Sequence, residues 1–168
     1  MCGFLTAFYK QKIPLVGLQS GLDRMIHRGP DAAGVWESPS AYLGHRRLAI
    51  MDLDQRATQP MLSACGRYRI VFNGEIYNFR SLRDNLKNQG VVFRTTSDTE
   101  VILEGFARAG LDLLPQLQGM FAFVIWDQQK TEGLRLATRM ESNPCTMGIS
   151  KLESFLHRRS KRSSIQGW

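Results

Sequence analysis

Tyr68-Arg69-Ile70-Val71-Phe72-Asn73-Gly74-Glu75-Ile76-Tyr77-Asn78 is the stretch on which the reading of the chain turns. Its first five residues form an apolar-rich run of strand length, which reads as a buried strand ending at Asn73-Gly74-Glu75. Asn-Gly is a common turn dipeptide. Asn78 is placed to cap a helix whose apolar stripe is Phe79, Leu82 and Leu86, with Arg80, Arg83, Asp84 and Lys87 turned to water. A strand therefore gives way to an amphipathic helix within one short stretch, as in a mixed α and β protein.

Downstream, Gly90 stops that helix. Ser97 or Asp98 can cap a second one that buries Val101, Ile102, Leu103 and Phe106 and ends at Gly110. Leu113, Leu114 and Leu117 suggest a further short helix, and residues 120–126 are apolar throughout, which fits a strand covered on both faces. Upstream, residues 3–8 have strand length. Leu15, Leu18, Leu22, Met25 and Ile26 recur at helical spacing until the turn-forming Arg28-Gly29-Pro30-Asp31. Strands are expected at 33–36 and 41–50, and a loop at 54–63, which is polar and carries Pro60.

The bulk properties bound the answer. A chain of 168 residues is long enough for one domain with a sizeable core. With 43% apolar and 22% charged residues it has the balance of a globular protein, not of a disordered or fibrous one. No run of apolar residues is long enough for a membrane-spanning helix, and no signal-peptide pattern is present, so a cytoplasmic setting is expected by default. Cys2, Cys65 and Cys145 form no C-x-x-C pair, and His27, His45 and His157 include no i, i+4 pair, so no metal site is expected. Of the +7 net charge, more than half lies after Ala137, where Arg139, Lys151, Arg158, Arg159, Lys161 and Arg162 face only Glu141 and Glu153. A basic tail of this kind reads as a solvated extension, and no nucleic-acid partner is expected.

Four features could carry chemistry. Removal of Met1 would make Cys2 the first residue, and its α-amine, with an ordinary pKa of about 7.7 to 8.0, could take the thiol proton. The bland reading is a small residue that follows the initiator. Arg46-Arg47 beside an apolar strand can fork onto a carboxylate, or be a surface pair at a strand edge. Asn73 and the Gly74 N–H can converge on an oxyanion, with Glu75 adding an anion for an ammonium group, or can form a plain turn. Asp98, in Thr95-Thr96-Ser97-Asp98-Thr99-Glu100, can bind a cation or simply cap a helix.

Their order along the chain resembles the glutaminase domain of the class II glutamine amidotransferases, and specifically the asparagine synthetase branch. The resemblance lies in Met1-Cys2-Gly3-Phe4, His27-Arg28-Gly29-Pro30-Asp31 with Gly34, and His45-Arg46-Arg47-Leu48-Ala49-Ile50 with Asp52-Leu53. It continues through Gln59-Pro60, Phe72-Asn73-Gly74-Glu75-Ile76-Tyr77-Asn78, Ser97-Asp98-Thr99-Glu100 and Gln118-Gly119-Met120-Phe121-Ala122-Phe123. It implies an α+β fold of the N-terminal nucleophile hydrolase type, a four-layer α-β-β-α sandwich of two antiparallel sheets. It also implies that Cys2 attacks the carboxamide of L-glutamine and that Asn73 and Gly74 hold the oxyanion. Arg47 would bind the substrate carboxylate, and Glu75 and Asp98 its ammonium; Arg46 receives no role. The ammonia would serve ATP-dependent asparagine synthesis from aspartate. The alternatives are another acceptor, a sugar or a peptide, or a non-catalytic truncated product.

Two departures accompany the resemblance. The Ser-Gly-Gly-x-Asp-Ser loop of the family's ATP-dependent half is missing from this chain, as are a P-loop and G-x-G-x-x-G. We therefore expect a fragment without the synthetase domain, no cofactor in this chain, ATP and magnesium only for the absent half, and a homodimer only as a property of the full-length relative. The motif match also stops near Ala137, which divides the chain into a glutaminase domain at 1–137 and an atypical basic tail at 138–168. Codon degeneracy allows that tail, read in a shifted frame from Arg139, to give Asn-Gly-Ile-Lys-Pro-Leu-Tyr-Tyr-Gly-Tyr, close to the family's continuation. From Leu156 the same frame can give Ala-Ser-Glu-Ile-Lys-Ala-Leu, so a frameshifted, disordered tail is expected.

Overall fold

The computed structural model describes residues 2–9, 14–49, 55–138 and 147–150. The expectations for Met1 and for most of the tail lie outside them. Among the described residues the elements run β1 (Gly3–Phe8), α1 (Leu15–Asp23), β2 (Ala32–Glu37), β3 (Ala41–Arg47), β4 (Met61–Leu62), β5 (Tyr68–Ile76), α2 (Phe79–Asn88) and α3 (Asp98–Ala109). A 3-10 segment, Gly110–Gln116, leads into β6 (Gly119–Asp127), β7 (Glu132–Thr138) and β8 (Met147–Ser150). Among the described residues the strands form two antiparallel sheets, one of order β1-β3-β2 and one of order β4-β5-β6-β7-β8.

Strand alternation explains how the sheets stack. On β5, Ile70, Phe72 and Ile76 join a core with Leu82 and Leu86 of α2 and Val101, Ile102 and Leu103 of α3. Val71, on the opposite face, joins Leu43, Val124 and Trp126 between the two sheets. β6 divides in the same way, with Phe121, Phe123 and Ile125 toward the helices and Val124 and Trp126 toward the other sheet. Phe8 stacks on Trp126 with ring centroids 5.1 Å apart and ties β1 to that inner layer. On the far side of the smaller sheet, α1 packs on β1 and β3 and buries Leu22 completely. The order of layers is therefore α1, first sheet, second sheet, then α2 with α3, the four-layer sandwich expected from the sequence.

The elements differ from their sequence reading in three instructive places. β5 does not end at Phe72. It runs through Asn73 and Gly74, which pair with Ala122 and Phe121 of β6, so the turn tendency of Asn-Gly is overridden by a full ladder. β3 stops at Arg47, short of residue 50, because the next two amides leave the sheet for side-chain acceptors, as described below. Residues 54–63 are not all loop: Met61 and Leu62 pair with Ile70 and Arg69. In addition, Met147–Ser150 pairs with β7 as the outermost strand, where the tail showed no strand alternation. A ladder is made by main-chain groups, so such an edge need not be announced by a side-chain pattern.

Candidate active site

A cleft of about 270 Å³ is lined by Cys2, Arg47, Asn73, Gly74, Glu75 and Asp98, all six of the residues singled out from the sequence. Four elements bring them together. Gly3 of β1 pairs with Arg46 of β3, which sets Cys2, one residue before β1, beside Arg47, the last residue of β3. Asn73, Gly74 and Glu75 belong to β5, and Asp98 is the first residue of α3.

At the cysteine, the Leu48 N–H donates to Sγ over 3.3 Å, and Sγ lies 3.6 Å from the Leu48 carbonyl oxygen. A main-chain donor in that place offers a thiolate a hydrogen bond. The Arg47–Ala49 segment is braced by the Arg28-Gly29-Pro30-Asp31 turn. The Asp31 N–H donates to the Arg47 carbonyl at 3.1 Å, and the Asp31 carboxylate accepts the Ala49 N–H at 2.8 Å. Gly29 is needed there because a Cβ would stand 2.4 Å from the Arg46 carbonyl carbon. Arg47 is buried on the cleft side. Arg46 points the other way, where its Nε donates to the Leu22 carbonyl at 3.2 Å and its guanidinium pairs with Asp23 on α1.

Gly74 has φ +140°, and a Cβ on it would fall 2.2 Å from the Met120 carbonyl oxygen, so only glycine lets β5 and β6 close here. Asp98 is buried, and its carboxylate accepts the Ile76 N–H at 3.2 Å. Burial pushes its carboxyl above the usual aspartate range, and the exposed Glu75 nearby pushes in the same direction. The helix cap is Ser97, whose hydroxyl accepts the Glu100 N–H at 3.3 Å, so Asp98 is not needed for that role. The buried Glu100 carboxylate gathers the Arg94 N–H at 2.9 Å and both the N–H and the hydroxyl of Thr95 at 2.7 Å, which fixes the loop that presents Asp98.

Sequence reasoning gave no role to the Leu48 main chain, nor to Gln59 and Thr99, which also line the cleft, and it marked Ser97 only as a possible helix cap. For Leu48 and Gln59 the only signal was membership of the quoted motifs. With one guanidinium, two carboxylates and a thiol, the cleft suits a small zwitterion that carries an electrophilic carbon. Among the described residues no three His, Cys, Asp or Glu side chains are grouped to hold a metal, and no helix is long and apolar enough to cross a membrane.

Comparison with known proteins adds three findings. A family model described as "Glutamine amidotransferase domain" matches residues 1–160, and so crosses the division placed near Ala137. The chain is 38% identical over 133 residues to asparagine synthetase [glutamine-hydrolyzing] 1 of Bacillus subtilis, over 76% of this chain and 21% of that protein. It is 42% identical over 127 residues to asparagine synthetase B [glutamine-hydrolyzing] of Escherichia coli, over 76% of this chain and 23% of that protein. It thus spans little more than a fifth of these curated relatives. Among solved structures, the glutamine phosphoribosylpyrophosphate amidotransferase of Bacillus subtilis complexed with ADP and GMP superposes with a TM-score of 0.66 at 22% identity. That superposition covers 84% of this chain and 40% of the other, and it shows a shared fold.

Proposed function

Because the chain belongs to the glutamine amidotransferase domain family and has the α-β-β-α fold of the N-terminal nucleophile hydrolases, we propose that it hydrolyses the carboxamide of glutamine with Cys2 as nucleophile. The thiol proton passes to the Cys2 α-amine, and the thiolate adds to the carboxamide carbon. Asn73 and the Gly74 N–H hold the resulting oxyanion. As the C–N bond breaks, the ammonium returns the proton to the leaving amine, ammonia departs and a glutamyl thioester remains. Water then cleaves the thioester to glutamate. Arg47 receives the substrate carboxylate, and Glu75 and Asp98 its ammonium.

The observation that carries this reading is the convergence of six residues from four well-separated segments of the sequence, Cys2 among them, on one cleft. We further propose that the ammonia serves ATP-dependent formation of asparagine from aspartate in a longer enzyme, a reading supported by relatives named asparagine synthetase [glutamine-hydrolyzing]. Apart from water, every group that acts on the substrate in this scheme belongs to this chain, so the reaction is expected to run without ATP or metal. The purified chain should release ammonia from glutamine in the presence of a chelator. Cys2→Ala should abolish release with an unchanged circular-dichroism spectrum, and Asn73→Ala should lower kcat by about 10²- to 10³-fold, the loss typical of one oxyanion donor. Full activity in a chain whose intact mass still includes Met1 would remove the proposed base and overturn the mechanism. The division at Ala137 is part of the same reading, and the DNA between codons 137 and 139 is expected to carry the insertion or deletion.

A further inference from the structure

On the side of β5 away from β6, β4 supplies a neighbour only as far as Met61 opposite Ile70, and among the described residues no strand continues that edge. The N–H and C=O of one strand residue point the same way. At Phe72 side chains meet both: its N–H donates to Gln59 Oε1 at 2.6 Å, and His45 Nε2–H donates to its carbonyl at 3.1 Å. Both side chains are buried, His45 completely. The carbonyl acceptor fixes the imidazole as the Nε2–H tautomer. Gln59 is held in turn, since its Nε2 donates to the Thr99 hydroxyl at 3.2 Å and its carbonyl lies where a Cβ on Gly34 would come within 2.0 Å.

The Phe72 carbonyl and the Asn73 N–H share one rigid peptide unit. A rotation of that unit that is not compensated at Asn73 φ swings the Asn73 side chain and the Gly74 N–H that follows it. Resting on the function proposed above, we propose that His45 is a positioning residue, paired with Gln59, that fixes this peptide plane and so aims the two oxyanion donors. Two sequence-distant side chains thus do at Phe72 what a neighbouring strand would otherwise do.

The test uses the full chain and two readouts. In His45→Leu, which removes the donor, kcat for glutamine hydrolysis should fall by at least about 10-fold while KM stays within about 3-fold, because donors are misaimed but the substrate's charged ends are still held. His45→Gln, whose carboxamide N–H can replace Nε2–H, should recover most of that loss. Independently of activity, the Asn73 and Gly74 amides should change nitrogen shift and exchange faster in His45→Leu, with Val124 and Leu43 unmoved. If His45→Leu does not fold, Gln59→Met removes the other half of the clamp and is read by the same amides. A His45→Leu enzyme with wild-type kcat, a His45→Gln enzyme as slow as His45→Leu, or unmoved Asn73 and Gly74 amides would each overturn the proposal. Wild-type chain that releases no ammonia would sink the glutaminase reading alone, since the amide shifts still decide the clamp.

Discussion

Asp98 and Ser97 stand next to each other at the start of α3 and do different work. Ser97 caps the helix, so Ser97→Ala should cost about 1 kcal/mol in a denaturant titration. Asp98 spends its carboxylate on the Ile76 N–H and on the cleft. Asp98→Asn should therefore raise KM for glutamine by about 10-fold or more, the scale of one charged hydrogen bond, with little loss of stability. Burial raises the Asp98 pKa, so on the proposed reading the cleft should bind an ammonium less well as pH falls, starting above the range in which an ordinary aspartate protonates. KM measured from pH 7 downward should rise in the wild type and rise less steeply in Asp98→Asn. A helix-start carboxylate is a common cap, and the sequence left Asp98 open between cap and ligand; Ser97, one residue earlier, takes the cap.

At the scale of elements, the ends of strands matter most. β1 was legible to its boundaries because an apolar run of strand length stands alone there. The ends of β3 and β5 were not, since both are set by partners distant in sequence. Leu48 and Ala49 turn their N–H groups to Cys2 and Asp31, and Gly74 continues a strand at a φ that usually makes a turn. Gln59 and His45 went unmarked as clamps for a related reason, because a hydrogen bond between residues far apart in sequence has no local spacing. The same physics makes Asp31 testable. Asp31→Ala frees the Ala49 N–H and should destabilise the chain by about 1 kcal/mol, the usual net value of one such bond. It should also raise KM more than it lowers kcat, because the segment it braces carries Arg47; steady-state kinetics with glutamine would separate the two.

For the molecule as a whole, the two sheets meet through a small apolar layer and, nearer the cleft, through His45. Burial lowers the His45 pKa from 6.5 to about 4, against the opposing pull of the Phe72 carbonyl and with help from Arg47. Between those values the unfolded chain binds a proton that the folded chain refuses. Stability therefore falls as pH drops through that window, by up to roughly 3 kcal/mol from this group. Urea midpoints at pH 7.5 and 4.5 should show a larger acid loss in the wild type than in His45→Gln, which has nothing to titrate there. The general layout was readable because two kinds of periodicity alternate along the chain, and the order of the motifs pointed to six residues that do line one cleft. What remained hidden was the set of long-range contacts that hold those motifs in place.

Placing the proposed nucleophile just ahead of β1 has a consequence in time. Cys2 precedes every other residue of the cleft in the chain, and Met120 comes last. During synthesis the sulfur emerges first, yet its wall is incomplete until β6 has been made and has paired with β5. On the proposed mechanism, the nascent protein carries Cys2 through the synthesis of every element up to β6 without the finished cleft that would let it act. The proposed release of ammonia should therefore begin only once β6 has paired with β5.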